Sequence, residues 1–309
     1  MAPSSHSEVS ERVFTLADLA NWPVEGTWLA VLGQPIKHSI SPAMHNAALA
    51  VMAREEARFA TWRYVRFEIA PDDLPIALRQ FHAKRFFGLN LTVPHKVLAC
   101  AHVQRVDPRA QPIGAVNTLR WRDDGWEGFN TDGYGLAQGL REDLNAQLTG
   151  ADIILLGAGG AARGAAVECL QAGCASLTIA NRTEENLRVL IEAMKPLASR
   201  TKLRGFDPQS PPADLPKGAW VVNATSAGLK STEVAPINLE HLPRPAGVYD
   251  MIYNPPLTPL LRQAQTLGLP SANGLSMLVY QGARALEIWS DRSVPVDAMA
   301  TAAKIATAR

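Results

Sequence analysis

The sequence predicts an α/β protein of two domains, each built on a mostly parallel sheet with helices packed against it. Three observations point there. The chain has 309 residues, about twice the length of an ordinary domain. From Trp28 onward, strand-length apolar runs alternate with helix-length segments, a rhythm that implies parallel strands joined by crossover helices. After Leu148-Thr149-Gly150 the rhythm restarts and soon meets a glycine-rich turn, as expected where a second sheet opens.

Residues 1–27 are polar at first and then mixed, with a short helix over Thr15–Asn21. They read as an extension, partly disordered. WLAVLG (28–33) is a buried strand, and 42–53 a helix led by Pro42, since proline fits a first turn. TWRYVRFEI (61–69) alternates as a strand does, and PDDLPIALRQFHA (71–83) is a helix. FFGLNLTV (86–93) is a strand, and PHKVLACAHV (94–103) opens another Pro-led helix. GAVNTLRW (114–121) and WEGFNTD (126–132) flank the turn RDDG (122–125) as a hairpin. A helix covers 132–142. In the second half the strands are 151–157, 176–182, 220–225 and 248–253, and the helices 160–173 and 184–194. The Pro-rich stretch Phe206–Gly218 is a surface loop, and helices over 258–268, 276–290 and 294–308 close the chain.

Composition excludes several functions. Apolar residues make up 47%, enough for a sizeable core. Lys plus Arg is 30 against 29 Asp plus Glu, so there is no bulk basic footprint for nucleic acid. One or two local charges can still hold a small anion. No apolar run reaches the roughly 18 residues of a membrane span, and MAPSSHSEVSERVF has neither the basic start nor the apolar stretch of a secretory signal. Cys100, Cys169 and Cys174 form no CxxC pair, and the histidines form no ligand set. Neither a disulfide framework nor a metal site is expected, and a cytoplasmic location fits.

The sharpest local signal is LLGAGGAARGAA (155–166). Gly157, Ala158, Gly159, Gly160 and Ala161 turn from a strand into a helix. Glycines let a backbone approach a pyrophosphate, and the helix start offers free N–H groups and a positive dipole end. The spacing varies on G-x-G-x-x-G, but the strand–turn–helix–strand setting is that of a Rossmann-like nucleotide domain. Asn181-Arg182-Thr183 stand at the end of the next strand, Asn181 being 24 positions after Gly157. No acid is there to hold a ribose 2′-OH. Arg182 can pair with a 2′-phosphate and Thr183 can donate a hydroxyl, which favours NADP. Glu184 and Glu185 count against a phosphate unless they face solvent. Thr183 before those two acids also makes a helix N-cap, and both readings can hold together.

Two constellations mark the first half. Gly33-Gln34-Pro35-Ile36-Lys37-His38-Ser39-Ile40-Ser41-Pro42 lies between a strand and a helix, where open α/β sheets bind ligands. The hydroxyls of Ser39 and Ser41 suit a carboxylate; equally, Ser41 suits a helix cap. Asn90-Leu91-Thr92-Val93-Pro94-His95-Lys96 places a cation at a helix start, where the dipole repels it and can tune it toward acid–base work. A solvated surface lysine is the plainer reading. Asn117 and Asp132 fall at strand ends, and Asp132 is also an N-cap candidate. His38 and His95 read as loop anchors or solvent-facing groups, and the tryptophans as core or rim.

These stretches together resemble the shikimate dehydrogenase family. The matches run in order: GQPIKHSISPAMHN (33–46), NLTVPHK (90–96), GAVNTL (114–119), GFNTDGYG (128–135), GAGGAA (157–162), NRT (181–183), NATSAG (223–228), YDMIYNP (249–255) and QGARALEIW (281–289). The resemblance implies an NADP-dependent oxidoreductase of aromatic amino-acid (chorismate) biosynthesis, reducing 3-dehydroshikimate to shikimate reversibly. It implies that Ser39 and Ser41, with Tyr253, hold the substrate carboxylate. Thr92, Lys96, Asn117, Asp132 and Gln281 would bind the ring hydroxyls, with Lys96 and Asp132 as the catalytic pair. Gly157 to Ala161 would cradle the pyrophosphate, and Asn181, Arg182 and Thr183 would surround the 2′-phosphate. Thr225, Ser226 and Met251 would lie near the nicotinamide. The family often carries a further basic residue shortly after NRT; Asn186 stands there, with Arg188 the nearest cation, so NADP preference is expected to be less strict.

Three rivals remain. A quinate or dual quinate/shikimate enzyme shares most of the site, but by the resemblance a threonine at the second carboxylate position favours quinate, and here it is Ser41. A folate-type NADP dehydrogenase leaves Lys96, Asn117 and Asp132 unexplained. A non-catalytic NADP-binding regulatory relative has no need of Lys96 and Asp132. The expected architecture is a substrate domain of 28–126 with 274–309, an NADP domain of 127–273, and a cleft between them. Gln281 is why the last helices are placed with the substrate domain. The protein is expected to be a monomer or homodimer, with no nucleic-acid or membrane partner.

Overall fold

The computed structural model describes residues 12–23, 25–230 and 233–308. The chain divides into two compact units. One is the chain up to Thr131 together with Gln281 onward; the other is Asp132–Tyr280. The divisions lie a few residues after the boundaries expected near 126 and 274. The first does so because Asn117 bonds the backbone of Thr131, which keeps the chain in the first unit through that residue.

The first unit carries a seven-stranded mixed sheet. Its strands are β1 (Val13–Thr15), β2 (Thr27–Gly33), β3 (Trp62–Glu68), β4 (Gly88–Leu91), β5 (Arg105–Val106), β6 (Thr118–Arg122) and β7 (Gly125–Phe129). They lie in the order β1-β3-β2-β4-β6-β7-β5. β1, β3, β2 and β4 run parallel, and β6 and β7 form the expected antiparallel hairpin. Helices α1 (Ser41–Glu55), α2 (Leu74–Ala83) and α3 (His95–Leu98) follow β2, β3 and β4. Phe67, Phe81, Phe86, Leu89 and Trp126 centre the core beside β3 and β4. Five of the tryptophans, Trp22, Trp28, Trp62, Trp126 and Trp289, are buried, in keeping with core packing.

The reading of 1–27 as an extension is corrected here. Residues 1–11 lie outside the described residues. From Arg12 the chain belongs to the first unit: β1 pairs with β3, a 3-10 helix spans Leu16–Asn21, and Phe14, Leu19 and Trp22 enter the core. Asp18 accepts from the Thr15 backbone and hydroxyl at 2.8 and 2.9 Å, which fixes the turn into that helix. A three-residue strand is too short to show a period, which is why the sequence hides it. β5 escaped for the same reason.

The second unit is a six-stranded, wholly parallel sheet. Its strands are β8 (Asp152–Leu156), β9 (Ser176–Ala180), β10 (Lys202–Phe206), β11 (Trp220–Asn223), β12 (Gly247–Asp250) and β13 (Ser271–Asn273). Their order is β10-β9-β8-β11-β12-β13. The sheet is therefore laid down outward in one direction from β8 and then outward in the other from β11, the doubly wound order whose reversal point takes ligands. Helices α4 (Asp132–Leu144), α5 (Gly160–Gln171), α6 (Glu184–Met194) and α7 (Pro259–Thr266) belong to this unit. α8 (Leu275–Ser290) runs through the second division, and α9 (Val296–Thr307) packs on α1 in the first unit. β10 and β13 are edge strands absent from the sequence reading. Lys202 and Arg204 break the apolar pattern of β10, as edges allow.

Candidate functional site

In the first unit, strand direction brings the candidate residues to one sheet edge. Leu32 pairs with Leu91, so the parallel strands β2 and β4 end together. β6 runs the other way and starts there, Asn90 pairing with Thr118. β7 reverses again and ends there, Thr118 pairing with Phe129. The loop with Ser39 and Ser41, the segment Thr92–Lys96, Asn117 and Thr131 thus leave the sheet on the same side. Backbone bonds lock the edge: Thr92 N to Leu32 O at 2.9 Å, Gln34 N to Val93 O at 3.1 Å, and Leu91 N to Asn117 O at 2.8 Å.

Asn117 is 1% exposed. Its Oδ1 accepts from the Thr131 N–H at 2.9 Å and from the Thr118 hydroxyl at 3.0 Å. Its Nδ2 donates to Thr131 Oγ1 at 3.0 Å and to Gln281 Oε1 at 3.3 Å. Gln281, from the returning helix α8, therefore does reach the sequence-distant Asn117. The loop holding Ser39 is clamped by Arg66, whose Nη1 donates to the carbonyls of Lys37 and Ser39 at 2.8 and 2.9 Å. Ser41 is not the helix cap that the sequence allowed. Ile40 holds the cap position, and Ser39 Oγ accepts from Ser41 N at 3.4 Å.

Lys96 is the second residue of α3 and half-buried. Its carbonyl accepts from Val116 N at 2.9 Å, tying α3 to the segment before β6. His95 is fully buried, and its Nε2 donates to Ile69 O at 2.9 Å. Burial pushes its pKa down, so it is a neutral anchor for the lysine's turn. His38 is exposed. Asp132 follows Thr131 directly and is the first residue of α4, inside the helix rather than at its cap.

In the second unit, the reversal point between β8 and β11 opens a groove of about 1510 Å³. Gly157, Ala158, Gly159, Asn181, Arg182, Thr225 and Ser226 line it. Gly160 and Ala161 form the first turn of α5 behind them. Gly157 has φ +110, and a Cβ there would sit 3.0 Å from Thr225 and 3.2 Å from the Ala224 carbonyl, so the turn demands glycine. At Gly159 and Gly160 a Cβ would meet nothing within 4 Å. Their bare backbone at a helix start is a cradle that an anionic diphosphate fits.

Thr183 holds the cap position of α6, but its hydroxyl makes no cap bond. Instead Asn181 Nδ2 donates to the Thr183 carbonyl at 2.9 Å. Arg188 is engaged by Glu185 at 2.7 and 3.1 Å, whereas Arg182 lines the groove beside Asn181. Met251 and Tyr253 follow β12 and are half-buried, and burial raises the Tyr253 pKa. The end of β12 is set by Asp250, fully buried, which accepts from Asn223 at 2.9 Å, Ile252 N at 3.1 Å and Thr258 at 2.6 Å. Burial raises its pKa. Among the described residues, no group of three or more His, Cys, Asp or Glu could hold a metal. No described helix is long and apolar enough to cross a membrane.

Sequence reasoning assigned no role to Tyr64, Asn90 and Thr131. Asn90 stood in a motif already singled out, whereas Tyr64 offered only an aromatic in a strand.

The family model for the shikimate dehydrogenase substrate binding domain matches residues 31–119, and that for the shikimate 5′-dehydrogenase C-terminal domain matches 274–304. A shikimate dehydrogenase (NADP(+)) of Citrifermentans bemidjiense is 40% identical over 282 residues, 90% of this chain and 95% of that protein. The chain belongs to the shikimate dehydrogenase family. Its fold agrees with the family's solved structures. A Thermus thermophilus shikimate 5-dehydrogenase, crystallised with NADP(H) and shikimate, superposes with a TM-score of 0.79 at 34% identity, covering 91% of this chain and 99% of that one. A 5-ketofructose reductase from a Gluconobacter species superposes with a TM-score of 0.78 at 29% identity, covering 91% and 99%. The fold is thus shared with a reductase of another name, and substrate choice has to be argued from side chains.

Proposed function

We propose that this protein is an NADP-dependent shikimate dehydrogenase, reducing 3-dehydroshikimate to shikimate reversibly. The observation that carries the reading is the polar edge of the first unit, where Asn117, Gln281 and Thr131 are bonded into one cluster beside the Thr92–Lys96 segment. A polyhydroxylated ring needs such convergent, pre-oriented amides and hydroxyls. Ser39 and Ser41 hold its carboxylate with Tyr253. Thr92, Asn117 and Gln281 bind ring hydroxyls.

NADPH, when bound, supplies the hydride. Gly157, Ala158, Gly159, Gly160 and Ala161 hold its pyrophosphate, and Asn181, Arg182 and Thr183 its 2′-phosphate. Thr225, Ser226 and Met251 serve the nicotinamide end. Lys96 delivers a proton to the oxygen of the carbon being reduced, and its positive charge stabilises the alkoxide as it develops. In the reverse direction Lys96 takes that proton. Asp132 orients Lys96 and a ring hydroxyl. The protein acts in the cytoplasm, as a monomer or homodimer.

The test is absorbance at 340 nm with shikimate or quinate, each with NADP or NAD. Strong reduction with shikimate and NADP is the expected result. Lys96→Ala is expected to lower kcat by about two to four orders of magnitude while NADP still binds. Preference for quinate overturns the role of Ser41. Preference for NAD overturns that of Arg182. No turnover at all with NADP bound makes the protein a binding module, and near-normal turnover in Lys96→Ala removes the lysine from the mechanism.

A further inference from the structure

Tyr64 lies in β3 and is fully buried, beneath the edge described above. Its backbone is clamped to α1: Asn46 accepts from Tyr64 N at 2.9 Å and donates to Tyr64 O at 2.9 Å. Its ring stacks on that of His45, with centroids 4.0 Å apart and planes 1° from parallel. The phenol is thereby held in one place. Its hydroxyl donates to Asn90 Oδ1 at 2.7 Å.

From Asn90 a directed chain continues. Because Asn90 Oδ1 is taken, its Nδ2 must face the next strand, where it donates to Asn117 O at 3.1 Å and to Thr118 Oγ1 at 3.0 Å. Thr118 then donates to Asn117 Oδ1 at 3.0 Å. That turns Asn117 Nδ2 toward Gln281 Oε1, at 3.3 Å. Each group's orientation is set by the one before it, and buried chains of this kind act as units.

We infer that Tyr64 is a positioning residue: through Asn90 its hydroxyl sets the orientation of Asn117 and Gln281, at the ring-hydroxyl end of the substrate. It touches no substrate itself. The inference rests on the substrate reading proposed above. Tyr64→Phe keeps the stacked ring and removes only the hydroxyl. Asn90 Oδ1 then loses its donor and the amide is released to turn over.

The experiment measures both KM values, kcat and thermal unfolding for wild type, Tyr64→Phe, Asn90→Ser and the double variant. Tyr64→Phe is expected to raise the KM for shikimate about tenfold, leave the KM for NADP unchanged and keep kcat within about threefold. In the double variant the two effects on the shikimate KM are expected to fall well short of multiplying, as residues of one network do. A lower unfolding temperature with an unchanged shikimate KM, or KM effects that multiply, overturns the inference and makes Tyr64 a packing residue. If Tyr64→Phe does not fold, Asn90→Ser cuts the same chain on its other side, and an unchanged shikimate KM there overturns it equally. Wild-type turnover is the control. Without activity on shikimate the substrate reading falls and the inference with it; with activity, an unchanged KM in the variants removes only the role of Tyr64.

Discussion

His45 ties the stability of the first unit to pH. It is fully buried in α1, and among the described residues neither ring nitrogen has a hydrogen-bond partner. Burial pushes its pKa down to about 3 from 6.5. Between those two values the unfolded chain binds the proton and the folded chain does not. Stability is therefore lost as pH falls below 6.5, and above 6.5 His45 adds no pH dependence. From pH 7 to pH 5 the loss integrates to about 2 kcal/mol. His95 is shifted in the same direction, so the wild-type slope alone does not isolate His45. Replacing His45 with Phe keeps a ring against Tyr64 and removes the titration. The assay is urea unfolding followed by tryptophan fluorescence at pH 7, 6 and 5. Of the seven tryptophans, only Trp220 lies outside the first unit, so the signal reports mainly that unit. The stability of His45→Phe relative to wild type is expected to rise by about 2 kcal/mol between pH 7 and pH 5. A difference constant to within about 0.5 kcal/mol, beyond which additive single-site effects differ measurably, refutes the reasoning: His45 would then be charged or solvated in the folded protein.

Leu19→Ala is expected to cost about 2–5 kcal/mol in urea unfolding, because Leu19 is 0% exposed in the core of the first unit; a cost below about 1 kcal/mol would place 12–23 outside the cooperative fold. Gly159→Ala is expected to leave the unfolding temperature unchanged and weaken NADP binding by calorimetry, since its Cβ would point into the open groove. Gly157→Ala is expected to lower both, because φ +110 and the contacts with Thr225 and Ala224 leave a side chain no room; equal behaviour of the two variants would refute the cradle. Arg182→Gln is expected to raise the KM for NADP about tenfold, the cost of one charge-assisted phosphate contact, with little change for NAD; equal rises for both cofactors would place Arg182 away from the 2′-phosphate.

Much of the fold was legible because long, patterned elements carry their own signal. The strand–turn–helix at 152–171 was readable from an apolar run, a glycine turn and an alanine-rich helix, all local features. The hairpin β6–β7 was readable from its Asp-Gly turn. The short edge strands β1, β5 and β13 were not, nor was the edge strand β10 with its charged residues. Their stability comes from pairing with a neighbour remote in sequence rather than from a period of their own.

The candidate site divides in the same way. Ser39, Ser41, Lys96, Asp132 and the 157–161 turn stood out because chemistry and spacing coincide within a few residues, and the order of the motifs was enough to point to the family. What only the tertiary structure decided is how distant residues satisfy one another. The contact of Asn117 with Gln281 spans 164 positions, and the burial of Tyr64 over Asn90 depends on β3 and β4 both pairing with β2. It also decided that Ser41 lies inside its helix, with Ile40 at the cap. The physical reason is that a buried polar group must find a partner. Which partner it finds depends on strand order and register, and these are set by packing over the whole sheet.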